Sequence, residues 1–302
     1  MNERMLQRCR TWDYRARGIY MITLTTHDRR PLFGRLVGGE AAPAICRSAL
    51  GELVARCWEA IPKYFPEVGA SVEAPMVMPD HFHGVLFVYK EQAKPLGAII
   101  RGFKAGVTKE ARALGLVEGP IWAPGFHDRI LFRDGQMEQL LAYIRDNPRR
   151  LAVKQAHPEL FRVVRDLPLA GRSFAAIGNH FLIDRPVRLA LQCSRRISPE
   201  ALAQQQEALL AQARQGAVLI SPCISPGEKQ IARAALEAKL PLVVLLENGF
   251  PPLYKPPKRY FEACAEGHLL MLAPWPYHSQ KRPITREQCL ALNGFAARLA
   301  SP

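Results

Sequence analysis

At 302 residues, the chain exceeds the usual size of a single domain and has room for one large or two smaller cores, with an ordinary 48% of hydrophobic residues. No apolar run reaches membrane-spanning length, and the opening MNERMLQRCR is too polar for a signal peptide, so the composition excludes an integral membrane protein and favours a soluble, cytoplasmic one. A formal charge of +14 favours polyanionic partners through counterion release, nucleic acid ahead of a membrane surface.

Residues 19–26 (IYMITLTT) alternate and are rich in β-formers, which predicts a strand. Over 43–61, Ile45, Leu50, Leu53, Val54, Cys57, Trp58 and Ile61 recur at helical spacing, and Pro62 is expected to end that helix. Residues 72–78 and 81–89 read as a hairpin turning at Pro79-Asp80. In the second arm His81 and His83 lie two apart, so both imidazoles project from one face while Phe82 enters a core. Such a pair can form half of a divalent-metal site, or simply line a half-exposed strand. A helix follows over 96–114, then a strand within 121–132. Asp134 is placed to cap a third helix, 136–145, which Pro148 should halt. On that helix Tyr143 and Asn147 share a face. The order β-α-β-β-α-β-α predicts a ferredoxin-like α+β sandwich with an antiparallel sheet and an added helix.

Around 166–185, Pro168 and Gly171 interrupt the pattern, and a linker is expected there. Beyond it the chain alternates strands (187–192, 217–221, 242–247, 269–272) with helices (199–214 capped by Ser198, 227–238, 285–299). LVVLLE at 242–247 is continuous and apolar, as in a doubly covered parallel strand. This half reads as a Rossmann-like α/β domain with a mostly parallel sheet. Seven cysteines (Cys9, Cys46, Cys57, Cys193, Cys223, Cys264, Cys289) form no CxxC pair and read as reduced packing residues.

Four stretches carry a family resemblance. They are Tyr20-Met21-Ile22-Thr23-Leu24-Thr25, Met78-Pro79-Asp80-His81-Phe82-His83, Trp122 with Gly125-Phe126-His127-Asp128-Arg129, and Tyr143-Ile144-Arg145-Asp146-Asn147-Pro148. In this order and spacing, residues 1–165 resemble the single-tyrosine HUH transposases, in particular the REP-associated branch. The resemblance implies a metal-dependent single-stranded DNA endonuclease and strand transferase acting on hairpin-bearing DNA through a 5′-phosphotyrosine. Tyr143 would be the nucleophile, and His81, His83 and Asn147 would hold Mg²⁺ or Mn²⁺. His127 is a reserve ligand, and Asp80, Glu73 and His127 are candidate bases. Arg101, Lys104, Lys109, Arg129, Arg145, Arg149 and Arg150 are candidate DNA phosphate contacts, and Trp12, Tyr14 and Trp122 candidate stacking platforms. Monomer and homodimer both stay open.

Residues 186–302 resemble, more loosely, the Rossmann-like domain of DNA-processing protein A. The matching pieces are Leu191-Gln192-Cys193-Ser194-Arg195, the strand 216–221 with Ser225-Pro226-Gly227-Glu228, and 245–250 with Pro252-Leu253-Tyr254. Cys193 stands where that family has glycine, which puts in doubt a phosphate ligand on Ser194, Arg195 and Gly227. Two other functions fit the same sequence: a domesticated hairpin-DNA-binding protein that does not cut, and a nucleotide-sensing module in the second domain.

Overall fold

In the computed structural model, residues 11–70, 75–132, 135–280 and 282–301 are described. The chain is a mixed α/β fold and divides into two compact units, Met1–Ala156 and His157–Pro302.

The first unit runs β1 (Gly18–Thr25), β2 (Gly34–Val37), β3 (Ala44–Arg47), α1 (Ala49–Glu59), α2 (Ile61–Tyr64), β4 (Val68–Ala70), β5 (Met76–Met78), β6 (His81–Val88), α3 (Leu96–Ala113), β7 (His127–Leu131), α4 (Gln136–Arg145) and α5 (Asn147–Ala156). Its main sheet has the order β4-β6-β1-β7, with β5 also paired to β6 and every pairing antiparallel. This is the strand order of the expected ferredoxin-like sandwich.

Strand alternation sorts the side chains. Tyr20, Ile22 and Leu24 of β1 and Phe82 and Leu86 of β6 face α1 and α3 in one core with Trp58, Ile100, Phe103 and Val107. Met21 and Val85 face the other way and meet Leu140 and Ile144 of α4 in a much smaller cluster. Apolar burial is worth roughly 25 cal/mol per Å², so the first face carries most of the unit's stability and the second only docks α4.

Two expectations change in this unit, and one falls outside the described residues. Residues 43–61 are not one helix, because Ala44–Arg47 pairs with Gly34–Val37 as a hairpin. The helix waits for Ser48, whose hydroxyl accepts the Gly51 N–H at 3.1 Å and caps the first turn. The expected cap Asp134 lies outside the described residues, as do 72–74 of the first hairpin arm; the residue before α4 is Gly135, at φ 74°. Pro148 does not halt the chain's helical course either. It stands second in α5, where its missing N–H costs nothing, and the Asp146 N–H to Ala142 and Arg150 N–H to Asp146 bonds (both 3.0 Å) carry α4 into α5 almost without a break.

The second unit runs α6 (Pro158–Phe161), β8 (Val164–Leu169), β9 (Arg172–Gly178), β10 (Arg188–Ala190), α7 (Pro199–Arg214), β11 (Val218–Ser221), α8 (Pro226–Glu237), β12 (Leu242–Leu245), α9 (Lys258–Ala265), β13 (Leu269–Ala273) and α10 (Arg286–Ala300). The sheet order is β10-β11-β12-β13-β9-β8, parallel from β10 to β13 and antiparallel beyond. Residues of α7, α8 and α9 cover one face, and α10 covers the other. The Rossmann-like, mostly parallel sheet is as expected; the linker over 166–185 is not. Ala170 and Gly171, at φ 47° and 74°, form a two-residue hairpin turn between Leu169 and Arg172, so the residues read as breakers join two paired strands. Pro168 is tolerated because β8 is the edge strand. The division between units therefore falls at Ala156–His157 rather than near 165.

Candidate active site

β1 and β6 set out the site. Thr23 lies opposite His83 and Thr25 opposite His81 in the antiparallel register. Both histidines are buried, at 6% and 4% exposure. His83 Nδ1 shares a 2.9 Å hydrogen bond with the Thr23 hydroxyl. His81 Nδ1 donates to Asp80 Oδ1 at 2.6 Å, and Arg29 donates to the other oxygen of that carboxylate at 3.2 Å. The ring centroids are 4.8 Å apart. With each Nδ1 held this way, Nε2 is the nitrogen that each ring can offer a cation, an orienting arrangement typical of metal-binding imidazoles.

Leu140 and Ile144 press α4 against Met21 and Val85. That docking brings the Tyr143 ring to 6.2 Å from the His83 ring, edge toward face. One turn on, Asn147 is 6% exposed and its amide nitrogen donates to the carbonyls of Tyr143 (3.0 Å) and Ile144 (3.1 Å). Those bonds cap the end of α4 and orient the amide, so Oδ1 is its remaining polar atom. Among the described residues, no group of three or more His, Cys, Asp or Glu side chains could hold a metal ion. The two imidazoles alone do not make up such a group. Two imidazoles, an amide oxygen and water suit Mn²⁺, and less closely Mg²⁺, in donor chemistry.

The other candidates separate. Burial pushes the Asp80 carboxyl up, but the hydrogen bond and charge of His81, with Arg29, outweigh it and pull it down to about 2; it is a poor proton acceptor. Glu73 lies outside the described residues. His127 is exposed and pairs with Thr23 in register, which puts it on the histidine face on the far side of β1 from His83.

Arg129 pairs with Met21 and shares that face, exposed, while Arg145 is an exposed residue of α4. Arg149 is bound to Asp146 through two nitrogens, at 2.6 and 3.2 Å. Arg150 is no surface contact: it is 8% exposed, with its guanidinium carbon 5.9 Å from the Tyr143 ring centre. Arg101 and Lys109 are exposed on α3, whose apolar side packs on the opposite face of the sheet. Lys104 is a structural tie, donating to the carbonyls of Ala123 (2.8 Å) and Gly125 (3.0 Å), and burial lowers its pKa.

The proposed stacking platforms are also engaged. Trp12 donates to the Tyr20 hydroxyl at 3.0 Å, Tyr14 donates to Asp128 at 2.8 Å, and Trp122 packs on Phe33 and Phe103.

In the second unit, the place for a ligand phosphate at the start of α8 is taken by the chain itself. The buried Glu228 carboxylate accepts the N–H groups of Cys193 (3.3 Å), Ile224 (2.7 Å) and Ser225 (3.2 Å). Gly227 packs against Cys193 and Leu202, where an added Cβ would stand 3.1 Å from each. Arg195 is exposed, and Ser194 only closes a local turn to the Arg196 N–H. These residues do not form an open anion cradle.

No family model matches the chain. A protein of Haemophilus influenzae described as uncharacterized is 27% identical over 161 residues, which are 47% of this chain and 86% of that protein. The solved structure of a REP-associated tyrosine transposase bound to a REP hairpin is similar at TM-score 0.34 and 17% identity, over 47% of this chain and 73% of that one. DNA processing protein A from Helicobacter pylori, described for its single-stranded DNA binding mode, is similar at TM-score 0.35 and 18% identity, over 46% of this chain and 65% of that one. At TM-scores of this size the likeness carries no weight for activity. None of the described helices is long and apolar enough to cross a membrane.

Proposed function

We propose that the first unit is a single-strand DNA transesterase of the tyrosine type, acting on hairpin-bearing DNA. The observation that carries this reading is the contiguity of His81, His83 and Tyr143 on one sheet face, with Asn147 one turn beyond the tyrosine. A Mg²⁺ or Mn²⁺ ion held by His81, His83 and Asn147 would supply positive charge against the phosphate oxygens.

The chain's own residues do the rest. The Tyr143 oxygen attacks phosphorus, an O–P bond forms, and the bond from phosphorus to the 3′ oxygen breaks. The tyrosine keeps the 5′ phosphate. The departing oxygen gains the proton that the phenol has lost and leaves as a 3′ hydroxyl. The phosphodiester energy is conserved, so another 3′ hydroxyl can reverse the step and join strands. Thr23 and Asp80 hold the imidazole rings in place, and the helix carrying Tyr143 positions the phenol against them.

The test is a labelled hairpin oligonucleotide with Mn²⁺, resolved on a denaturing gel. The wild type should leave protein on the 5′ end. Tyr143→Phe should bind the same DNA and form no adduct, and His81→Ala should lose metal dependence and most of the rate. An adduct that persists in Tyr143→Phe would remove the nucleophile from this site, and wild-type binding without any adduct would favour a non-cutting hairpin binder.

A further inference from the structure

β1 ends beside His81, with Thr25 opposite that histidine in register, and residues 27–30 turn back directly after it. The Arg30 N–H closes this turn on the His27 carbonyl at 3.2 Å, and its two central residues, Asp28 and Arg29, stand at φ 53° and 56°. Asparagine or aspartate followed by glycine is the usual pair at such positions, so Asp28 is ordinary there and Arg29 is not. The turn is fastened to the residues just before the histidines. The Thr26 N–H donates to the Asp80 carbonyl and the Phe33 N–H to the Pro79 carbonyl, both at 3.0 Å. An arginine thus stands where glycine would lie unstrained, next to the proposed metal site.

The ion pair of Arg29 does not account for this placement. Its Nη1 donates to Asp80 at 3.2 Å, with the two side chains 40% and 32% exposed. A pair so open to water contributes little, less than the strain of a side chain in the left-handed region. What the pair does is hold the guanidinium still. Among the described residues Nε and Nη2 have no hydrogen-bond partner. These two nitrogens share one edge of the group and present parallel N–H donors, the fork that matches two phosphate oxygens.

We infer that Arg29 binds a phosphate of the substrate strand, a neighbour of the one that Tyr143 attacks. The assignment rests on the transesterase reading. Asp80 lies between Arg29 and Nδ1 of His81, whereas the proposed cation belongs to Nε2, across the ring. The guanidinium is therefore set behind the imidazole and reaches along the strand rather than to the reacting phosphorus. Its charge persists at any working pH, so the contact fixes the register of the strand and moves no proton.

The experiment is hairpin-oligonucleotide binding by the full chain carrying Tyr143→Phe, followed by fluorescence anisotropy in Mn²⁺ over a series of salt concentrations. Arg29→Gly removes the guanidinium and relieves the turn. It should weaken binding by about tenfold and make the fall of log affinity with log salt shallower by about one unit, yet melt no lower than its parent. Arg29→Asn, also at ease in the left-handed region, should behave alike and decides the matter should the glycine variant fail to melt cooperatively. Arg29→Lys keeps the charge and should keep the salt slope. Methylphosphonates, in which one charged oxygen becomes a neutral methyl group, are then placed singly at the phosphates on either side of the cleavage site. One of them should weaken binding by the parent and leave Arg29→Gly indifferent. An unchanged salt slope in Arg29→Gly would overturn the assignment, whether or not its melting temperature falls. So would equal sensitivity of parent and variant to every methylphosphonate. A wild type that forms no adduct would end the transesterase reading and this assignment with it, whereas a wild-type adduct with an indifferent Arg29 ends this assignment alone.

Discussion

Replacing Gly84 with alanine probes the strand that carries both histidines. Gly84 lies between His83 and Val85 on β6 and faces the larger core, where Trp58 is fully buried. A Cβ there would stand 2.4 Å from Cε2 and Cζ2 of Trp58 and 2.8 Å from its Nε1. Carbon atoms in contact settle at about 3.5–4.0 Å, so the indole must retreat by about 1 Å. It has nowhere to go, because Phe82 at 4.8 Å and Phe103 at 5.2 Å hold it edge to face. Overpacking of this kind costs about 1–3 kcal/mol, and a rigid ring boxed on both sides belongs at the upper end. For a unit near 150 residues, that lowers the melting temperature by about 6–12 °C. The comparison is Gly102→Ala on α3, where an added Cβ meets nothing within 4 Å. That change should stabilise by about 0.5–1 kcal/mol, the ordinary gain of alanine over glycine in a helix. Melting followed by near-ultraviolet circular dichroism reads both. Gly84→Ala melting at or above the wild type, or both variants shifting in the same direction, would refute the reasoning.

Lys104→Met removes two charge-assisted hydrogen bonds to the 115–126 loop and should cost about 1.5–3 kcal/mol in urea unfolding of the first unit, while leaving α3 intact by amide exchange. Glu228→Ala strips three backbone N–H groups of their acceptor and should destabilise the second unit by about 2–3 kcal/mol without creating phosphate affinity, both measurable by thermal shift with and without inorganic phosphate. Burial lowers the pKa values of His180 and His268, the latter against the pull of Glu266. Protons then bind the unfolded second unit more readily than the folded one, so its stability is full above pH ~6.5 and erodes as the pH falls through that value. A double His180→Gln, His268→Gln variant should show a flatter dependence of melting temperature between pH 7.5 and 5.5 (about the window of the imidazole model value); an unchanged slope would place the titration elsewhere.

The parts of the fold written in local pattern were legible. His81-x-His83 reads as a strand with both rings on one face because alternation admits no other arrangement, and β1 pairs with it in register. The third helix was legible over 136 to about 145, where Leu140, Leu141 and Ile144 fix its phase, but its continuation through Pro148 was not. What failed depends on partners remote in the chain. Ala44–Arg47 has helical spacing, but Gly34–Val37 pairs with it, and pairing outweighs propensity. Ala170-Gly171 looks like a break until β13 receives β9. The candidate site divides in the same way. Its imidazole pair was signalled by strand alternation and its phenol only by the family resemblance, whereas the burial of Arg150 and the tie made by Lys104 depend on which face of the sheet each helix covers. One signal was overlooked: a glycine directly after the second histidine marks a strand pressed against a large ring, and Trp58 is that ring.

The helix bearing Tyr143 is fastened to the sheet by Leu140 and Ile144 on Met21 and Val85, a footing far smaller than that of α1 and α3. Local opening is cheaper where fewer apolar groups are released, so α4 is expected to open more readily than α1 or α3, with the buried Ala152 and Val153 of α5 acting as a second anchor. If the proposed transesterase chemistry holds, a strand end bonded to the phenol would travel with α4, while the imidazoles stay fixed in the sheet. Cutting at one place and sealing at another would then require no rearrangement of the sheet.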